Sequence, residues 1–170
     1  NYHFFCINII IKVFYMKVKD PEFCMYGPPG LDIGCLLAGY VLASVHHKYS
    51  CVPGSQEALQ SIRSAARLVW QKYVDTMEEE GSFTAELMDK VGVETVGFAM
   101  LDTCRTALGS AGVRVWLQFQ DEDVKKKAVK ECMGIVQRCM KGRHRGGIEL
   151  LFREIDGPAG GGGHHGIGGA

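Results

Sequence analysis

The 170-residue sequence predicts a mainly α fold (α+β) with a short β segment at its N-terminal end. Two observations support this prediction. Apolar residues recur at spacings of three and four over residues 31–48, 56–79, 93–108 and 121–140, which is the period of helices that bury one face. Residues 1–18 are instead dominated by β-branched and aromatic side chains, so we expect one or two buried strands there.

The apolar stripes predict which side of each helix is buried. In the first helix Leu36, Leu37 and Val41 should face the core, and Gly39 should allow close packing. A short element opened by Ser82 should end before Gly92, ahead of the 93–108 helix. The last long helix should begin at the acids 121–123, stop at residues 141–147 and lead to a short helix over 148–155. The other predicted core positions are Tyr40 and Ala43 in the first helix, Leu59, Ile62, Ala66, Val69, Trp70, Tyr73 and Met77 in the second, Val93, Val96, Ala99, Met100, Thr103, Cys104 and Ala107 in the 93–108 helix, and Val124, Ala128, Cys132, Ile135, Val136 and Cys139 in the last.

Composition excludes several classes of protein. The formal net charge is zero, so there is no electrostatic footprint for nucleic acid or an acidic membrane. Charged and polar residues interrupt the N-terminal apolar run, which makes it a poor membrane span and an unconvincing signal peptide. Seven cysteines without a Cys-x-x-Cys pair predict reduced thiols in a cytoplasmic protein. The chain opens with Asn1 rather than Met, so we expect a piece of a longer protein.

The most informative stretch is residues 20–34, with the sequence DPEFCMYGPPGLDIG. If a strand ends here, the carboxylates of Asp20 and Glu22 project to the same face, because side chains alternate along a strand. Two such oxygen ligands suit a Mg²⁺ ion that also binds nucleotide phosphates. The prolines and glycines then turn the chain, and Asp32 stands where we expect the N-cap of a helix.

This stretch resembles the metal-binding segment of the S-methyl-5-thioribose kinases, which are small-molecule kinases of the aminoglycoside phosphotransferase and choline kinase type. The resemblance implies the helical C-lobe of a protein-kinase-like fold over residues 16–155, after an atypical segment at 1–15 and before a disordered glycine-rich tail at 156–170. It also implies that Asp20 and Glu22 hold the Mg²⁺ of Mg-ATP. Asp32 would brace the catalytic loop and start a helix.

A second stretch resembles the same family where that family carries paired arginines. It comprises the run VGFA at residues 96–99, followed by Arg105, Gly109 and Val113. The family's arginines reach toward methylthioribose and the transferred phosphate. Arg105 matches the first and is predicted to bind substrate, although it falls off the apolar stripe and on that ground alone reads as a surface arginine. Thr106 replaces the second, and a neutral hydroxyl cannot substitute for a guanidinium at a phosphate.

The function implied by the resemblance is ATP-dependent phosphorylation of the 1-hydroxyl of 5-methylthioribose, in methionine salvage. The family's His-Gly-Asp-Leu-His catalytic loop does not occur before Asp20, and the glycine-rich loop and lysine of the N-lobe are also missing. We therefore expect this chain to be inactive alone. Two alternatives remain: a related kinase for another small alcohol or an aminoglycoside, and a non-catalytic helical interaction module. The family is often dimeric, so the resemblance also implies a homodimer.

Overall fold

The computed structural model describes residues 27–50, 52–79, 81, 83–109 and 119–157. This part of the chain forms four helices: α1 (Gly30–Tyr49), α2 (Ser55–Glu79), α3 (Ala85–Ala107) and α4 (Glu122–Asp156). It contains no strand, so the mainly helical class is confirmed for these ranges. The predicted β segment lies outside the described residues, as does the tail from residue 158 on. The first two residues of the predicted disordered tail belong to the end of α4, with Asp156 as its last residue and Gly157 as its C-cap.

The first turn of α1 differs from the prediction. The helix begins at Gly30, with Pro29 at the N-cap position, and Asp32 lies inside the first turn instead of capping it. The prolines explain the shift, because a proline just before or at a helix start has no N–H to leave unpaired and its φ is already helical. Asp32 still favours the helix, since a negative charge in the first turn offsets the positive end of the helix dipole.

Capping residues set the start of α3 and α4. Thr84 accepts a hydrogen bond from the Leu87 backbone N–H at 3.3 Å, so α3 begins at Ala85 and not at Ser82. The same helix runs through Gly92, where a break was predicted. Gly92 is buried beside Trp70 and Ile148, so tertiary packing outweighs the roughly 1 kcal/mol helix penalty of a glycine. In α4 the prediction is confirmed, because Asp121 accepts hydrogen bonds from the two N–H groups that follow Glu122.

The α1 and α3 helices form the centre of the described fold. They run in the same direction, since Gly30 lies against Thr95 and Gly34 against Ala99. α4 runs antiparallel to α3, and α2 closes another side of the core. The buried residues include these predicted core positions: Leu37, Val41, Leu59, Ala66, Tyr73, Met77, Val96, Ala99, Met100, Thr103, Ala128, Cys132, Ile135 and Cys139. Ile33, Val91, Leu151 and Phe152 are also buried and were not predicted.

Two details of the predicted first helix are wrong. Leu36 was assigned to the core and is 43% exposed. Gly39 was expected at a close helix contact, yet a Cβ at that position would meet no heavy atom within 4 Å in the described part of the chain. The partner helix α3 crosses α1 nearer its start, so Gly30 and Gly34 occupy the contact instead.

The predicted break in the last helix is confirmed at Gly147. Its φ of 51° and ψ of −149° are not helical and divide α4 into a long and a short segment. The short segment folds back onto the long one. Arg138 makes two hydrogen bonds of 2.7 Å to Glu154, although sixteen residues separate them along the chain. On a straight helix the same separation would span about 24 Å. Leu150 packs over Gly142 in this turn.

Among the cysteines of the described ranges, Cys104, Cys132 and Cys139 are free thiols. Burial raises the pKa of the Cys132 thiol to about 12, and it does the same for Cys139. Neither thiol is therefore a reactive thiolate near neutral pH. Within the described ranges, each helix is too polar or too short to cross a bilayer.

Candidate functional site

The start of α1 is held against α3 by a pair of glycines. A Cβ at Gly30 would come within 2.7 Å of the Thr95 nitrogen, and a Cβ at Gly34 within 2.7 Å of the Thr95 oxygen. Both distances are below any that real Cβ atoms adopt, so only glycine permits this approach. Both glycines belong to the kinase-like stretch 20–34, and their role here is to place its C-terminal end directly on α3.

A hydrogen bond from α2 also anchors this end of α1. The Tyr73 hydroxyl donates to the Pro29 carbonyl oxygen at 2.9 Å. Burial raises the pKa of Tyr73, and the negative charges of Asp32 and Glu94 raise it further. The electrostatic influence of both carboxylates therefore reaches this hydroxyl. Asp32 itself is exposed in the first turn of α1.

Asp20 and Glu22, the predicted Mg²⁺ ligands, lie outside the described residues. Among the described residues, no group of three or more His, Cys, Asp or Glu side chains is arranged to hold a metal ion.

Arg105 lies near the C-terminal end of α3, where its side chain is 54% exposed. Its Nη2 atom donates a 2.7 Å hydrogen bond to Oδ1 of Asp102, one turn earlier. The Asp102 side chain is only 6% exposed. The sequence analysis did not single out Asp102. The Asp-x-x-Arg spacing could have indicated it, since residues i and i+3 are neighbours on a helix surface.

Thr106 does not accompany Arg105. Successive helical residues point about 100° apart, and Thr106 turns into the protein, where it is 6% exposed. Its hydroxyl has no hydrogen-bond partner among the described residues. The position that matches the family's second arginine is thus a buried one, and no second cation stands beside Arg105 on this helix turn.

The structure joins the two kinase-like stretches through one helix pair, because Gly34 of the first lies against Phe98 and Ala99 of the second. Gly30 meets α3 at Thr95, and Arg105 lies ten residues further along, a rise of about 15 Å. A ligand that contacted both regions would have to extend along α3.

A separate cleft of about 580 Å³ lies between α2, α3 and the bend of α4. Its lining includes Trp70, Glu78, Asp89, His144 and Arg145. Neither of the described predicted site residues, Asp32 and Arg105, lines it. The structure separates the basic residues 143–145. His144 and Arg145 line the cleft, whereas Arg143 packs across Gly97 of α3.

Comparisons with known proteins find methylthioribose kinases among the relatives of this chain. The chain is 25% identical over 151 residues to a methylthioribose kinase of Bacillus cereus (strain AH187), a match that covers 82% of this chain and 37% of that protein. It is 24% identical over 151 residues to a methylthioribose kinase of Bacillus thuringiensis (strain Al Hakam), with the same shares covered. No family model and no solved structure matches the chain. The chain thus spans 37% of the length of these curated relatives, and its similarity to them is distant.

Proposed function

We propose that this chain is the helical C-lobe part of an ATP-dependent small-molecule kinase. The intact protein would phosphorylate 5-methylthioribose at its 1-hydroxyl, in methionine salvage. In this proposal the C-lobe comprises residues 16–155, with residues 1–15 and 156–170 outside it. The observation that carries the proposal is the glycine-mediated packing of α1 on α3, because it joins the two kinase-like stretches in one rigid contact. The similarity to methylthioribose kinases over 82% of the chain supports it.

Each site residue has a role in this proposal. Asp20 and Glu22 would hold Mg²⁺, whose bound charge offsets that of the ATP phosphates. Carboxylate oxygens are the donors that Mg²⁺ prefers. Arg105 would donate hydrogen bonds to the substrate from its exposed guanidinium. In phosphoryl transfer such positioning and charge neutralisation supply most of the catalysis.

The chain itself should not turn over substrate. A base to accept the sugar hydroxyl proton is missing from the sequence before Asp20, as are the N-lobe groups that seat ATP. A coupled kinase assay on the 170-residue chain should therefore show no methylthioribose-dependent ADP release. Turnover in that assay would show that the missing groups are not needed and would contradict this part of the proposal.

Metal binding is the direct test of the site. Mn²⁺ can replace Mg²⁺ as a paramagnetic probe, and with ATP present it should broaden the amide NMR signals at the start of α1, including Asp32 and Gly34. The double substitution Asp20→Asn with Glu22→Gln should abolish this broadening. Glu122→Gln with Asp123→Asn is the matched control, because it removes an exposed acidic pair at another helix start.

The result separates the kinase proposal from its alternatives. Broadening that depends on Asp20 and Glu22 supports a phosphotransferase. Broadening that the control pair removes equally, or none at the start of α1, would refute the metal assignment. It would favour a helical interaction module instead.

The burial of Thr106 favours a second candidate within the same class of enzyme. With Arg105 as the one cation of this helix turn, the site offers less positive charge than a pair of arginines would. A related kinase acting on another small alcohol or on an aminoglycoside fits this arrangement. A substrate panel on the full-length protein, with methylthioribose beside such alcohols, decides between them by the ratio of kcat/KM values.

A further inference from the structure

The ion pair between Asp102 and Arg105 differs from the other ion pairs of the same spacing. In the Glu122–Lys125 pair both side chains are well exposed, at 69% and 46%. Asp102 is 6% exposed while Arg105 is 54% exposed. The acid is therefore fixed by its surroundings, and the arginine is tethered to it from the solvent side.

A buried carboxylate needs a partner that compensates for its lost hydration. An exposed ion pair contributes at most about 1 kcal/mol, whereas taking a carboxylate out of water costs several kcal/mol unless it is paired. Arg105 supplies a hydrogen bond of 2.7 Å to the buried oxygen. In return the guanidinium loses part of its rotational freedom, because one of its five N–H donors is committed to Asp102.

The pairing also changes what Arg105 can bind. The negative charge of Asp102 and the positive charge of Arg105 cancel at this end of α3, and Thr106 adds no cation. A phosphate dianion gains little from a neutralised pair. A neutral hydroxyl or ring oxygen still accepts a hydrogen bond from the remaining, oriented N–H donors.

We propose that Asp102 is a positioning residue that sets Arg105 to bind the neutral hydroxyl groups of a sugar in preference to a free phosphate. The inference rests on the proposed function and deepens it, since it assigns the substrate class that this arginine selects. It implies that Arg105 contacts the sugar acceptor and that other groups neutralise the charge of the transferred phosphate.

Two titrations of the 170-residue chain test the inference. Methylthioribose and inorganic phosphate are each added while the ¹⁵Nε–H signal of Arg105 is followed by NMR. In Asp102→Asn the affinity for methylthioribose should fall roughly three- to tenfold, because the guanidinium is no longer held. The affinity for phosphate should rise about fourfold for the monoanion and roughly fifteenfold for the dianion, the effect of removing one charge about 5 Å away in water-like surroundings. Asp102→Glu should restore the wild-type order, and Glu122→Gln, which breaks the exposed pair with Lys125, should change neither affinity.

A merely structural role for Asp102 would move both affinities in the same direction or leave both unchanged, and either result overturns the inference. If wild type does not bind methylthioribose, the substrate assignment of the proposed function fails by itself. The inference is then decided by phosphate affinity and by the rotation rate of the Arg105 guanidinium, both of which must rise in Asp102→Asn. Should that variant fail to fold, Asp102→Ser takes its place, since it leaves room for a water molecule.

Discussion

Gly34→Ala should destabilise the chain, although alanine is the better helix former. The new methyl group would lie 2.7 Å from the Thr95 oxygen, 2.8 Å from Cβ of Phe98 and 3.1 Å from the nitrogen of Ala99. Two of these are backbone atoms of α3, which cannot rotate away. The helices must therefore separate, and the α1–α3 contact at the centre of the core loosens.

The magnitude follows from two opposing effects. Alanine gains about 0.5–1 kcal/mol over glycine inside a helix. Overpacking of a close core contact costs typically about 1–3 kcal/mol, and here the clash is with backbone, so the upper half of that range applies. We expect a net loss of about 1–2 kcal/mol in the free energy of unfolding. With a urea dependence of about 2 kcal/mol per molar, the midpoint should fall by roughly 0.5–1 M.

Gly39→Ala is the matched control, because it makes the same change in the same helix where the new Cβ would meet nothing within 4 Å among the described residues. It should raise stability by about 0.5–1 kcal/mol. Urea unfolding of both variants, followed by circular dichroism at the helix band, measures the two shifts. If Gly34→Ala is as stable as Gly39→Ala, the helices are not as close as described and the reasoning for the anchored site is wrong.

Three further predictions test other parts of the structure. Gly147→Ala should lower the free energy of unfolding by about 1–3 kcal/mol, because φ of 51° with ψ of −149° is a conformation that alanine adopts only under strain. If urea unfolding is unchanged, the bend does not need glycine. Tyr73→Phe should cost about 1 kcal/mol through the lost hydrogen bond to the Pro29 oxygen. The pKa of Tyr73 is raised in the folded state, so its contribution to stability is present below the unfolded pKa of about 10 and is lost as pH rises above it. Wild type should therefore lose stability more steeply than Tyr73→Phe between about pH 10 and 11, and equal slopes would contradict the burial of the hydroxyl. Thr106→Val should leave the free energy of unfolding unchanged or raise it by up to about 1 kcal/mol, because it removes a buried hydroxyl without a partner in the described structure. A clear loss of stability in thermal unfolding would reveal a hydrogen bond to this hydroxyl.

The periodicity of the sequence was sufficient to predict the helices and most of their buried faces. The stripe from Leu59 to Met77 and the stripe from Ala128 to Cys139 are buried or half-buried as predicted. The acidic cap before α4 and the bend at the double glycine were also predicted correctly. These features are local, because helical period, capping chemistry and positive φ depend on residues within a few positions of each other.

The parts of the candidate site that depend on distant neighbours could not be read in the same way. Periodicity assigned Leu36 to the core and Gly39 to a close contact, whereas the crossing point of α3 selects Gly30 and Gly34. The sequence by itself determined the helical class, the helix faces and the kinase-like residues Asp20, Glu22 and Arg105 as candidates. Only the tertiary structure decided that Thr106 is buried and that Asp102 holds Arg105, because burial is set by which helices meet and where they cross.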